Sequence, residues 1–311
     1  MKALLLSTFL AVLYSQATMG QCCSAGNPYF YNEHANMGHK ELQVSLGYKY
    51  STSNTYYKGS DAVSINFIDK AYFNFMNLQI LYGLSPRFSI QTDFGYFINK
   101  TEKYELENWS DNNGYGLGDA SLTVKYLAYK NFKRHLTIVP SVRVKFPIGV
   151  FDQEAGHVKL PITVQPSSGS YKYALNLYIG KGFSSSKWSM SFFGSFEYAQ
   201  LIASKNFYYK YGNQYLFAFL ISNKISDKLN LGLELRNESR AKSKRENQQI
   251  VASTGYQILY AVPHLSYSIT NKWLVALNTE WPFYRHYNGL QLGNKFAVSA
   301  SFYYRFMNYP G

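Results

Sequence analysis

Phe296-Ala297-Val298-Ser299-Ala300-Ser301-Phe302-Tyr303-Tyr304-Arg305-Phe306 sets the reading of the whole chain. The even positions are apolar or aromatic apart from the small Ala300, and the odd ones run through Ala, Ser, Tyr and Arg. Successive side chains of a strand point to opposite faces, so a period of two describes a strand with one apolar face. The same rhythm runs through Phe88-Ser89-Ile90-Gln91-Thr92-Asp93-Phe94-Gly95-Tyr96. It recurs in Leu136 to Phe146, where Arg143 and Lys145 oppose the apolar set. Leu229, Leu231, Leu233 and Leu235 alternate with Asn230, Gly232, Glu234 and Arg236 in the same way.

Working outward, twelve such segments are placed at about 40–51, 70–83, 87–99, 117–130, 134–147, 170–182, 187–199, 213–224, 228–240, 254–268, 272–285 and 294–306. Most exceed the five or six residues common in globular strands, and a tilted membrane strand needs about ten. Their connections alternate in length. Short links such as Leu84-Ser85-Pro86, Asn131-Phe132-Lys133 and Ile225-Ser226-Asp227 separate long ones at 52–69, 100–116, 148–169, 200–212, 241–253 and 286–293. Short periplasmic turns and long external loops are the habit of outer-membrane barrels. The expected fold is therefore all-β: a transmembrane antiparallel up-and-down barrel of about twelve strands, occupying 40–311. An even number puts both chain ends on the periplasmic side. Pro140 and Pro263 fall inside strands, and each removes a ladder donor, so bulges are expected there.

Composition agrees with a bilayer setting. The 311 residues are 18% aromatic but only 16% charged, below the quarter or so usual in soluble domains. After residue 20 no apolar run approaches the 20 residues of a transmembrane helix. The net charge of +13 raises nucleic acid as a partner. Its Lys and Arg are scattered among aromatics, however, and the cluster Lys242-Ser243-Lys244-Arg245 reads as a solvated loop, so no nucleic-acid binding is expected.

Residues 1–20 carry a positive Lys2, an apolar Ala3–Tyr14 stretch and small residues in Thr18-Met19-Gly20, which reads as a secretory signal peptide. Residues 21–39 then form a periplasmic tail. Cys22 and Cys23 lack the small preceding residue that a lipid anchor needs. Together with His34 and His39 they offer soft metal ligands, but adjacent cysteines chelate one ion poorly. A plain periplasmic tail, or a vicinal or intermolecular disulfide, is the expectation, and a periplasmic partner reached through Cys22 or Cys23 stays open.

Two stretches carry a resemblance. Gly116-Leu117-Gly118-Asp119-Ala120-Ser121-Leu122-Thr123-Val124-Lys125-Tyr126 and Leu81-Tyr82-Gly83-Leu84-Ser85-Pro86-Arg87-Phe88 resemble envelope barrels grouped as the transporter-like family of the meta-pathway of phenol degradation. The likeness covers about 60 residues, and the remainder shares only the strand rhythm. It implies an outer-membrane location in a Gram-negative bacterium and passage of small solutes, hydrophobic or aromatic ones included. The cysteine tail is outside that pattern.

Candidate functional residues lie opposite the apolar faces: Asp93, Lys125, Arg143, Lys145, Glu197, Glu234, Arg236, Glu280 and Arg305. Charges there are expected to face the lumen, since Arg or Lys at the bilayer midplane costs about 2–4 kcal/mol. They either pair and fill the interior or form a mixed-charge constriction that selects solutes. Tyr72, Tyr82, Tyr96, Tyr126, Trp188, Tyr198, Tyr215, Trp273, Trp281, Tyr304 and Phe306 fall near strand ends and read as interface anchors against outer-membrane lipids. Phe306 also resembles the terminal signal read by barrel-assembly machinery.

The enzymatic alternative is His264-Leu265-Ser266 with Asn278 or Glu280, a pattern similar to barrel-wall lipid hydrolases. The pair precedes a short turn and lacks the following Asn-Gly, so no catalysis is expected. No metal or cofactor motif is found. The expected function is a narrow channel or transporter-like barrel, and the alternative is a non-conducting barrel with a binding or structural role.

Overall fold

The computed structural model describes residues 36–65, 67–105, 110–183, 187–204 and 207–306. The expected signal peptide, Cys22, Cys23 and His34 lie outside the described residues. Eleven continuous strands form the wall: β1 Leu42–Gly59, β2 Ile68–Gly83, β3 Phe88–Tyr104, β4 Asn112–Tyr126, β5 Leu136–Phe146, β6 Lys172–Gly182, β7 Trp188–Ala199, β8 Gln214–Lys224, β9 Leu229–Arg240, β10 Tyr256–Ser268 and β11 Trp273–Phe306. Each pairs antiparallel with the next, and Leu42 meets Phe306 to close the ring. Closure is what lets every backbone polar group find a partner without water.

The last strand crosses twice. Its first part, to Tyr287, pairs with β10, and its second part pairs with β1. Between them Gly289 takes φ +66, and near the other end the Arg305 N–H donates to the Lys272 carbonyl at 2.9 Å. Eleven strands thus make the twelve expected crossings. Two short strands, Asp61–Val63 and Tyr129–Asn131, pair with the wall outside this ring.

Three boundaries differ from the sequence reading. The expected loops 52–69, 100–116 and 286–293 are largely strand, because β1, β3, β4 and β11 extend past the apolar band. Register shifts at Thr52/Ser53, Asn74/Phe75 and Phe97/Lys100 explain why the pattern hid this. A bulge adds one residue, and the alternation after it changes phase. The prolines correct a second expectation, for neither sits at a register shift. The β4–β5 ladder ends at Ser141, one residue beyond Pro140, and the β10–β11 ladder skips from Ala261 to His264, past Pro263. Each missing N–H falls where no partner is required.

The wall is inverted relative to a soluble barrel. Leu175, Val142 and Leu235 are 63, 52 and 51% exposed, while their neighbours Asn176, Arg143 and Arg236 are buried. An apolar exterior over a polar interior only makes sense in lipid. Leu233→Arg, on the outer face near mid-strand, is accordingly expected to lower unfolding stability in lipid vesicles by about 2–4 kcal/mol. Glu234→Gln, one residue on and facing inward, tests whether that loss follows the face rather than the strand.

Candidate functional site: the barrel interior

Charged interior side chains fall into two main groups, each set by strand register. On the first wall, Asp93 accepts from Gln79 at 2.9 Å, from Ser121 at 2.9 Å and from Gln91 at 3.1 Å. Its partners come from β2, β3 and β4, brought level by continuous ladders. Lys125 and Arg143 are buried on the same interior face. Lys145 reaches over β6 to Glu197 at 2.8 Å.

The second group runs along the wall from β9 to β1. Lys49 Nζ lies 2.6 Å from Glu280 Oε1, and Arg236 Nη2 lies 3.0 Å from Glu280 Oε2. Arg236 also meets Glu238 at 3.1 Å and Glu234 at 3.4 Å, and its guanidinium sits 5.0 Å from the Tyr260 ring centroid. His264 Nε2 is 3.4 Å from the other Glu234 oxygen. Three of the nine expected residues, Glu234, Arg236 and Glu280, therefore belong to one cluster. Asp93, Lys145 with Glu197, and Arg305 stand apart from it. Arg305 donates to Gln43 at 3.3 Å near the periplasmic end.

The sequence reading missed Lys49 and Glu238, though both carried a signal. Lys49 shares a face with Gln43, Ser45 and Ser51, and Glu238 follows Glu234 and Arg236 at the strand period. It also missed an apolar lining. Tyr256, Ile258, Tyr260, Val262 and Tyr287 form one buried cluster, and Phe73, Phe75 and Phe97 another. Both sit toward the external half. Where both faces of a strand are apolar, alternation carries no information about which one turns inward.

Below the ion cluster lies a cavity of about 600 Å³. Tyr178, Phe193 and Ala218 give it an apolar side, while Glu234, His264, Ser266 and Asn278 give it a polar one. The segment before β1 touches it, where buried Met37 donates its N–H to Ser89 Oγ at 3.0 Å. His264 and Ser266 thus face this cavity rather than lipid. Glu280, the expected orienting acid, is held by Lys49 and Arg236 instead.

Above the cluster, the long segment between β5 and β6 folds onto the wall. Asp119 accepts from Ser167 Oγ at 2.7 Å, Ser168 N–H at 2.9 Å and Ser168 Oγ at 2.6 Å. Thr163 donates to Glu102 at 2.7 Å, and Val164 is fully enclosed. The wall is shaped for this contact. Gly116 takes φ +117 beside the register shifts of β3 and β4, and Gly118, Asp119 and Ala120 are then all buried. A side chain at Gly114 would lie 2.0 Å from the Val164 carbonyl.

Fold and interior together define a transmembrane β-barrel of the outer-membrane type. An outer-membrane channel from Pseudomonas putida F1 has the same fold, with a TM-score of 0.73, 14% identity, and coverage of 89% of this chain and 100% of that one. The β-domain of the Bordetella autotransporter BrkA also matches, at a TM-score of 0.51 and 8% identity over 86% of this chain and 100% of that one. The likeness of Gly116–Tyr126 to transporter-like envelope barrels accords with this fold. No family model matches the chain, and no curated protein matches it.

Proposed function

We propose that this barrel is a narrow outer-membrane channel for small solutes, hydrophobic and aromatic ones among them. The observation that carries the reading is the interior space of about 600 Å³, walled on one side by Tyr178 and Phe193 and on the other by hydroxyl and amide groups. Such a two-faced pocket suits a small solute with an apolar body and a polar edge. The external half adds a second apolar surface, the Tyr256–Tyr260 and Phe73–Phe97 clusters, along the same axis. The channel from Pseudomonas putida F1 supports the reading at the level of fold. Lipid contact belongs to the exposed apolar band, and the outward Phe306 suits recognition by assembly machinery. The reading assigns no catalysis to His264 and Ser266, whose surroundings are the lumen.

One observation favours a non-conducting barrel: Lys49, Arg236 and Glu238 are almost wholly enclosed, as in an interior filled by paired charges. Conductance in planar bilayers separates the two. The channel reading expects discrete single-channel steps, and Phe193→Trp is expected to lower them about twofold by filling the cavity. Phe192→Trp, next to it on the lipid face, is expected to leave them unchanged. A silent protein gives the result to the non-conducting reading.

A further inference from the structure

The two ends of the barrel differ in charge. The five short turns, at 84–87, 127–135, 183–187, 225–228 and 269–272, hold seven Lys or Arg and one acid. That acid, Asp227, is already engaged by Lys224 at 3.1 Å, which holds its carboxyl below the usual range. Two of these cations, Lys187 and Lys228, converge with Lys224 at the end of β8 on one opening. A cavity of about 460 Å³ at the short-turn end is lined by Lys187, Lys224 and Lys228 together with Trp188 and the hydroxyls of Ser226 and Ser266. The Lys224 N–H donates to the Lys187 carbonyl at 2.9 Å, which sets these two residues side by side. Ser266 also lines the larger cavity, so the two spaces adjoin, and Lys181 and Arg305 stand on the inner one.

We propose that this basic rim concentrates anions at the periplasmic mouth, so that the channel prefers anions and its solutes include small organic acids. The proposal rests on the channel reading and names its solute class. Like charges around a low-dielectric mouth focus the field and raise the local concentration of counter-ions. Charges in exposed turns are screened over about 8 Å at physiological salt, so the preference weakens as salt rises. An apolar wall at Tyr178 and Phe193 behind a cationic rim matches an organic carboxylate: charge at the mouth, hydrocarbon in the cavity.

The test is the reversal potential of the whole protein in zwitterionic bilayers under a potassium chloride gradient, repeated with potassium benzoate. Chloride is expected to permeate about threefold or more over potassium near 0.1 M salt and to approach parity near 1 M. Benzoate is expected to give the same sign. Combining Lys187→Gln, Lys224→Gln and Lys228→Gln is expected to remove at least half of the preference. Asp227→Asn, which deletes the opposing charge at the same rim, is expected to increase it. Conductance with no anion preference, or a triple variant identical to wild type, overturns the proposal and leaves the channel reading intact. Absence of any conductance overturns both.

Discussion

Arg236→Met is expected to destabilise the folded barrel by about 3–5 kcal/mol in denaturant unfolding from lipid vesicles. The size follows from what remains. Arg236 is the cation shared by Glu234, Glu238 and Glu280. Among the described residues Glu280 then keeps Lys49 at 2.6 Å, while Glu238 loses its 3.1 Å salt bridge. Glu238 is 2% exposed, so its carboxylate is left buried without that partner. Removing one member of a buried ion cluster is costly because it strands the charges left behind. A combined Arg236→Met, Glu238→Gln variant is therefore expected to recover at least half the loss. If the single variant costs under about 1 kcal/mol, the cluster is not what ties β9 to β11 over β10.

The membrane fold was legible because lipid imposes a rule that short stretches obey individually. Leu229 to Leu235 announces its outward face without knowledge of any other strand. The interior was legible only by subtraction, as the face that could not be outward, and that places Arg236 or Asp93 without giving a partner. The partners depend on register. Lys49 and Glu280 are 231 positions apart and meet only because β11 crosses twice before closing on β1. Bulges set the other limit. At Thr52/Ser53 the phase changes, so the continuing strand to Gly59 reads as loop. Along β2, Phe73 and Phe75 turn inward beside outward Tyr72, and no pattern in the residues distinguishes the two faces.

Asp119→Ala is expected to release the segment between β5 and β6, raising protease cleavage within 151–160 about tenfold or more while the strand ladder stays intact. The sequence motif Gly116-Leu117-Gly118-Asp119 finds its physical meaning here. The left-handed glycine and the neighbouring register shifts turn the Asp119 carboxylate inward, where three donors from Ser167 and Ser168 converge on it. Hydrogen bonds to a charged group are worth about 1.5–3 kcal/mol each, and as neighbours they do not add in full. Their joint loss of about 3–5 kcal/mol removes the densest set of bonds between the segment and the wall, leaving Thr163 to Glu102, Lys100 to the Gln165 carbonyl, Gln153 to Tyr115 and Tyr211 to the Ser168 carbonyl. Asp119→Asn is expected to fall between, since one amide oxygen still accepts. Because that segment lies over the external half of the lumen, release is expected to raise single-channel conductance in parallel with cleavage. Faster cleavage at unchanged conductance would place the segment beside the solute path rather than across it.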